Sequence, residues 1–193
     1  MEHVQNNAFA IIEAKLKQCD GFKSVFATAA YITQRMLDMS QSETWYFSYG
    51  SNLSKQQMLR RTGSIPMSHA AFLVNYKLAF RKVLNGKDVY ATIVPMPGAI
   101  VHGVAYLCGP HAMTQLDLFE GVAENCYRRE SVQVTTHSDD ILKCMVYIGE
   151  AFSEEDSVSS SSYLNLILTG AKEHQLPPDY IESIRKIAKP IWS

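Results

Sequence analysis

The sequence predicts an α+β fold: a small mixed β-barrel or sheet flanked by helices, with a helical extension at the N-terminus. Three observations carry that expectation. Trp45-Tyr46-Phe47-Ser48 alternates aromatic and small residues like a half-buried strand, then runs through a glycine turn into a capped helix start. The middle of the chain is a series of β-branched and aromatic runs cut by turn signals. Helical periodicity is kept for the two ends and two short stretches between them.

Composition narrows the field. A chain of 193 residues holds one domain with a proper core and room for an appendage. With 47% hydrophobic and 19% charged residues it is globular. A formal net charge of −1 speaks against nucleic acid or an anionic membrane as its main partner. Cys19, Cys108, Cys126 and Cys144 are scattered, with no Cys-x-x-Cys pair or Cys/His cluster, so a zinc site or redox dithiol has no support. Isolated cysteines beside apolar residues are those of a reduced, cytoplasmic protein. No apolar run is long enough to span a bilayer, and the N-terminus lacks the layout of a secretory signal.

In chain order, residues 1–43 read as a separate helical extension and residues 44–193 as the main domain. Phe9, Ile12 and Leu16 mark a short helix, Asp20-Gly21 a break, and Phe22, Val25, Phe26, Ala29, Ile32, Met36 and Leu37 one face of a longer helix. That stripe needs cover, from the main domain or from a second subunit, which leaves a homodimer open. The polar face has too few basic residues for a membrane anchor. After the strand at Trp45, Gly50-Ser51-Asn52 forms a turn, and Ser54 with Gln57 reads as a capping box. A strand, a tight turn and a helix start gather unpaired N–H groups at one point, a place for an anion or a developing oxyanion. An ordinary strand-to-helix connection has the same pattern. The helix runs over 54–62 and stops at Gly63.

Strands follow over 72–80, 89–94 and 100–107, separated by Asn85-Gly86, a hairpin signal, and by Pro95-Met96-Pro97-Gly98, a turn signal. Pro110 to Phe119 is helical and meets Glu120-Gly121. Glu120 breaks a local rule. A carboxylate in the last turn faces the negative end of the helix dipole, and Leu118-Phe119 beside it promises partial desolvation. Both raise a carboxylate pKa, which suits a general acid/base. A frayed surface glutamate is the alternative reading. Strands resume over 127–134 and 141–148, a polar loop spans 150–162, and its serines either flex or cap the next helix, from Tyr163 to about His174. Pro177-Pro178 opens a last helix, Asp179 to about Lys189.

Three ordered motifs now carry a resemblance. Tyr49-Gly50-Ser51-Asn52-Leu53, then Leu116-Asp117-Leu118-Phe119-Glu120-Gly121-Val122 followed by Tyr127-Arg128-Arg129, then Gly170 to Pro177 followed by Tyr180, resemble the γ-glutamylcyclotransferase-like family. The tail is more similar to members acting on γ-glutamyl dipeptides than to the γ-glutamylamine type. The resemblance covers residues 45 to about 188. It implies a small mixed β-barrel flanked by helices and a cyclisation that releases 5-oxoproline and a free amino acid from a small γ-glutamyl substrate, with no metal and no cofactor. It places the catalytic carboxylate at Glu120, the substrate loop at Tyr49, Gly50, Ser51, Asn52 and Leu53, and substrate-facing tyrosines at Tyr127, Tyr147 and Tyr163. Read from the residues alone, those tyrosines are equally core or rim residues. Asn125-Cys126 stands where the family often has a glycine, and Asn tolerates a left-handed backbone. Glutathione or a γ-glutamylamine as substrate, and a non-catalytic binding module on the same fold, stay open.

Overall fold

A computed structural model describes residues 43–84 and 86–188. The two helices expected within residues 1–43, together with Asn85 and Lys189, lie outside the described residues. The strands are β1 (Thr44–Ser48), β2 (Ser68–Val83), β3 (Val89–Cys108), β4 (Tyr127–Thr136), β5 (Ile141–Gly149) and β6 (Phe152–Asp156). Among the described residues the helices are α1 (Lys55–Thr62), α2 (Pro110–Glu120), α3 (Ser161–Glu173) and α4 (Pro178–Ile187), with a 3-10 turn at Ser51–Leu53.

The sheet order is β3-β1-β5-β4-β2, and β2 pairs with β3 to close a five-stranded barrel. The barrel is mixed because β1 runs antiparallel to β3 and parallel to β5. Tyr46, Phe47 and Ser48 are therefore enclosed by neighbours on both sides and are all buried. The core gathers Phe47, Phe80 and Tyr106 from the strands with Leu53, Met58, Leu116, Ile167 and Ile184 from the turn and the helices. Burying side chains of this size is the main stabilising contribution, on the order of 1.5–3 kcal/mol each.

Helix boundaries follow the local chemistry. The Ser54 side chain accepts from the Gln57 N–H at 3.4 Å, half of the expected capping box. The other half is missing because the Ser54 N–H already donates to the Ser51 carbonyl, and Gln57 turns outward to accept from Arg60. Ser160 caps α3 by accepting from the Tyr163 N–H, so the serine run supplies a cap. Gly63 and Gly121 end α1 and α2 in the left-handed conformation.

Two expectations are corrected. Pro95 to Gly98 does not separate two strands. β3 runs through it, and the β2–β3 ladder skips a step there between Val74 and Tyr76. Asn75 sits at φ 65°, and its side-chain oxygen accepts from the Gly98 N–H. A proline is tolerated at a bulge because the ladder asks for no donor there. The polar stretch after Glu150 is also not all loop. Phe152–Asp156 forms β6 on the second half of β2, opposite Arg81 and Val83. An exposed edge strand needs no apolar alternation, so composition hid it.

Candidate active site

The 3-10 turn and the ends of two helices meet at one point. Met58 is buried on one side of α1, and this orientation carries Arg61, in the last turn, toward the end of α2. α2 starts at Pro110 and ends at Glu120, immediately before Gly121. The carboxylate of Glu120 is only 14% exposed. Asn52 Nδ2 donates to Glu120 Oε1 at 3.1 Å and to the Tyr46 hydroxyl at 2.9 Å. Arg61 Nη1 donates to Glu120 Oε1 at 2.8 Å and to Asn52 Oδ1 at 3.0 Å. Burial raises the Glu120 carboxyl above its ordinary pKa, and it outweighs the opposing charge and hydrogen bonds of Arg61 and Asn52.

Glu120 opens on a cavity of about 350 Å³. Tyr49, Gly50, Ser51, Asn52, Tyr127, Tyr147 and Tyr163 line it as well. Leu53, expected in the substrate loop, does not. It is fully buried, and its main chain lies beneath Gly170 of α3. The tight turn that exposes Ser51 and Asn52 to the cavity rotates the next side chain into the core. Gly50 has φ −108°, which any residue adopts, so the turn does not use a left-handed glycine. The N–H groups of Ser51 and Asn52 open the 3-10 turn and have no main-chain acceptor among the described residues, whereas Leu53 N–H donates to the Gly50 carbonyl.

The tyrosine hydroxyls are committed to the framework. Tyr49 donates to the Tyr147 carbonyl, Tyr127 to the Ala91 carbonyl at 2.8 Å, and Tyr147 to Asp117 Oδ1 at 2.9 Å. Tyr163 accepts from the Ala91 N–H at 3.2 Å. Burial raises all four phenols, Tyr163 to about 12, so they line the cavity as protonated, neutral groups. Neither Arg128 nor Arg129 lines it. Arg129 turns back to Asp117 and the Met113 carbonyl and braces α2, while Arg128 pairs with Glu130 and Glu150. Asn125 adopts φ 56°, so the turn after Glu120 is made, and Cys126 becomes part of the cavity wall.

Arg61 and Tyr46 are the contacts that reading the sequence missed. Tyr46 could have been found from the strand, whose other large residues alternate away from it. Nothing local distinguishes Arg61 from Arg60, which bonds to Gln57 on the outer face. Among the described residues no group of three His, Cys, Asp or Glu side chains converges to hold a metal ion.

Comparison with known proteins places this arrangement. Residues 100–184, which include Glu120, match the model of the AIG2-like family. The chain is 32% identical to γ-glutamylcyclotransferase of Mus musculus over 154 residues, 76% of this chain and 80% of the mouse protein. It is 32% identical to the Homo sapiens γ-glutamylcyclotransferase over 148 residues, 74% of this chain and 77% of the human one. A solved γ-glutamyl cyclotransferase structure superposes with a TM-score of 0.71 at 30% identity, covering 79% of this chain and 92% of that one. With that identity sustained over most of both chains, and with the closed mixed barrel in common, this chain belongs to the γ-glutamylcyclotransferase family of enzymes.

Proposed function

We propose that the chain cyclises γ-glutamyl amino acids and dipeptides, releasing 5-oxoproline and a free amino acid, with Glu120 as base and then acid. The observation that carries this reading is the largely buried Glu120 carboxylate, hydrogen-bonded to Asn52 of the Gly50-Ser51-Asn52 turn and open to the cavity. At neutral pH the substrate's α-amine is an ammonium and cannot attack. Glu120 takes one of its protons, and the freed amine closes on the γ-carbonyl carbon to form the new C–N bond. Glu120 passes that proton to the leaving nitrogen and takes the second proton from the ring nitrogen. The bond to the leaving nitrogen breaks, and the second proton follows it, so Glu120 ends as it began. Nucleophile and electrophile belong to one molecule, so proximity is built into the substrate.

The N–H groups of Ser51 and Asn52 are the donors for the developing oxyanion or the substrate's own carboxylate. The cavity is at the small end of those that hold organic ligands, about 300–1,000 Å³, which suits a γ-glutamyl dipeptide. The test is 5-oxoproline release, followed by mass spectrometry, from γ-glutamyl-alanine, glutathione and γ-glutamyl-ε-lysine. Release from γ-glutamyl-alanine is expected. Release from only one of the others would move the substrate class, and release from none would favour a binding module.

A further inference from the structure

We propose that Arg61 is a positioning residue for this reaction: it fixes one oxygen of Glu120, Oε1, and thereby leaves Oε2 as the atom that carries the proton. The inference rests on the function proposed above. Both hydrogen bonds to the carboxylate, from Asn52 Nδ2 and Arg61 Nη1, fall on Oε1. No described residue hydrogen-bonds to Oε2. An oxygen already held by two donors is a poor proton acceptor, so the geometry divides the carboxylate into an anchored oxygen and a working one.

Arg61 is itself held still. Nη1 also reaches Asn52 Oδ1 at 3.0 Å, and the guanidinium carbon stands 5.0 Å from the centre of the Phe119 ring. It projects from the last turn of α1, where the helix dipole favours a cation. Glu120 has the opposite arrangement, an anion at a helix C-terminus and largely out of water. A base in that position needs a fixed counter-charge if the resting enzyme is to keep it ionised.

The other groups facing Glu120 cannot supply that charge. Tyr46 from β1, Tyr49, Tyr127 from β4 and Tyr163 from α3 surround it as neutral phenols. Asp88, the second carboxylate of the cavity wall, is exposed and of the same sign. Arg61 is the one cation among the described residues that line the cavity.

The experiment compares wild type, Arg61→Met and Arg61→Lys in the pH dependence of kcat/KM for γ-glutamyl-alanine. The Glu120 carboxyl is titrated in parallel by carbon NMR, its signal assigned by comparison with Glu120→Gln. Arg61→Met keeps the stem over Phe119 and removes the charge. Its acid limb and its Glu120 titration are expected to move up by about one pH unit or more, a loss of about tenfold on the wild-type limb that is recovered at higher pH. Arg61→Lys is expected to keep the limb near its wild-type position and to lower kcat, because an ammonium lacks the planar fork that aims Oε1. An Arg61→Met protein that is folded and has an unshifted limb overturns the proposal. If wild type turns over no γ-glutamyl substrate, the function reading fails. The NMR titration alone then decides Arg61: an upward shift supports its hold on Glu120, and an unchanged value overturns it.

Discussion

Replacing Gly170 by alanine sets two physical effects against each other at a position that governs the active-site turn. Gly170 lies in the last turn of α3, where alanine is still the better helix former, by at most about 1 kcal/mol. Helix propensity alone therefore predicts stabilisation. The structure predicts the reverse. A Cβ built on Gly170 would lie 2.2 Å from the Leu53 carbonyl carbon, 2.3 Å from the Ser54 nitrogen and 2.5 Å from the Leu53 oxygen. Ordinary contact begins near 3.4 Å, so each overlap is about 1 Å. All three atoms are backbone and cannot step aside by changing rotamer. Overpacking of this kind costs about 3 kcal/mol at the upper end of its usual range. Subtracting the helical gain leaves about 2 kcal/mol of destabilisation, or about 4–8 °C in Tm for a domain of this size. Relief requires α3 to lift off the Ser51–Leu53 turn, so the rate of 5-oxoproline release should fall as well. Calorimetry or thermal circular dichroism on Gly170→Ala makes the check. A Tm equal to or above wild type would refute the packing argument.

The remaining predictions concern the cavity wall and Glu120. Tyr147→Phe loses the hydroxyl's bond to Asp117 but keeps the ring, so urea unfolding should give a loss of about 1 kcal/mol while KM for γ-glutamyl-alanine changes little; a large KM change with unaltered stability would put the hydroxyl on the substrate instead. Burial raises the Glu120 carboxyl, so the folded protein holds that proton more tightly than the unfolded chain does. That contribution is fully present below the ordinary glutamate pKa and is lost as pH rises through the raised one. The unfolding free energy of wild type minus that of Glu120→Gln should accordingly fall as pH rises across this window, and a flat or rising difference contradicts it. Cys108 and Cys144 are buried thiols raised to about 12, whereas Cys126 faces the cavity. Alkylation of the native protein followed by peptide mapping should therefore find Cys126 modified and Cys108 and Cys144 spared, with loss of activity in step with modification of Cys126.

Much of the site was legible in the sequence because its parts are local. An aromatic strand, a turn and Ser54 as cap are written within ten residues, and they fold as written. Glu120 stood out because an acid directly before a C-capping glycine contradicts the helix dipole, and the structure finds it at that helix end and largely buried. What could not be read depends on chain returning from far away. Arg61 meets Glu120 across 59 residues, and no local pattern says that α1 and α2 end side by side. The partners of the tyrosine hydroxyls are main-chain carbonyls, the Ala91 N–H and Asp117, chosen by barrel closure and not by residue type. The resemblance extends the substrate loop to Leu53, but a tight turn must send one of its side chains inward. Pro95 to Gly98 looked like a stop because a bulge and a turn use the same residues.

The most direct test of the account is 5-oxoproline release from γ-glutamyl-alanine by Glu120→Gln beside wild type, with both proteins first shown to share one circular dichroism spectrum. Glutamine keeps the size of the side chain and an oxygen for Arg61 and Asn52, but it cannot take up the proton. Release by wild type and none above background by the variant is the expected result. Near-normal release by Glu120→Gln would contradict it, because the amine would then lose its proton to some other group.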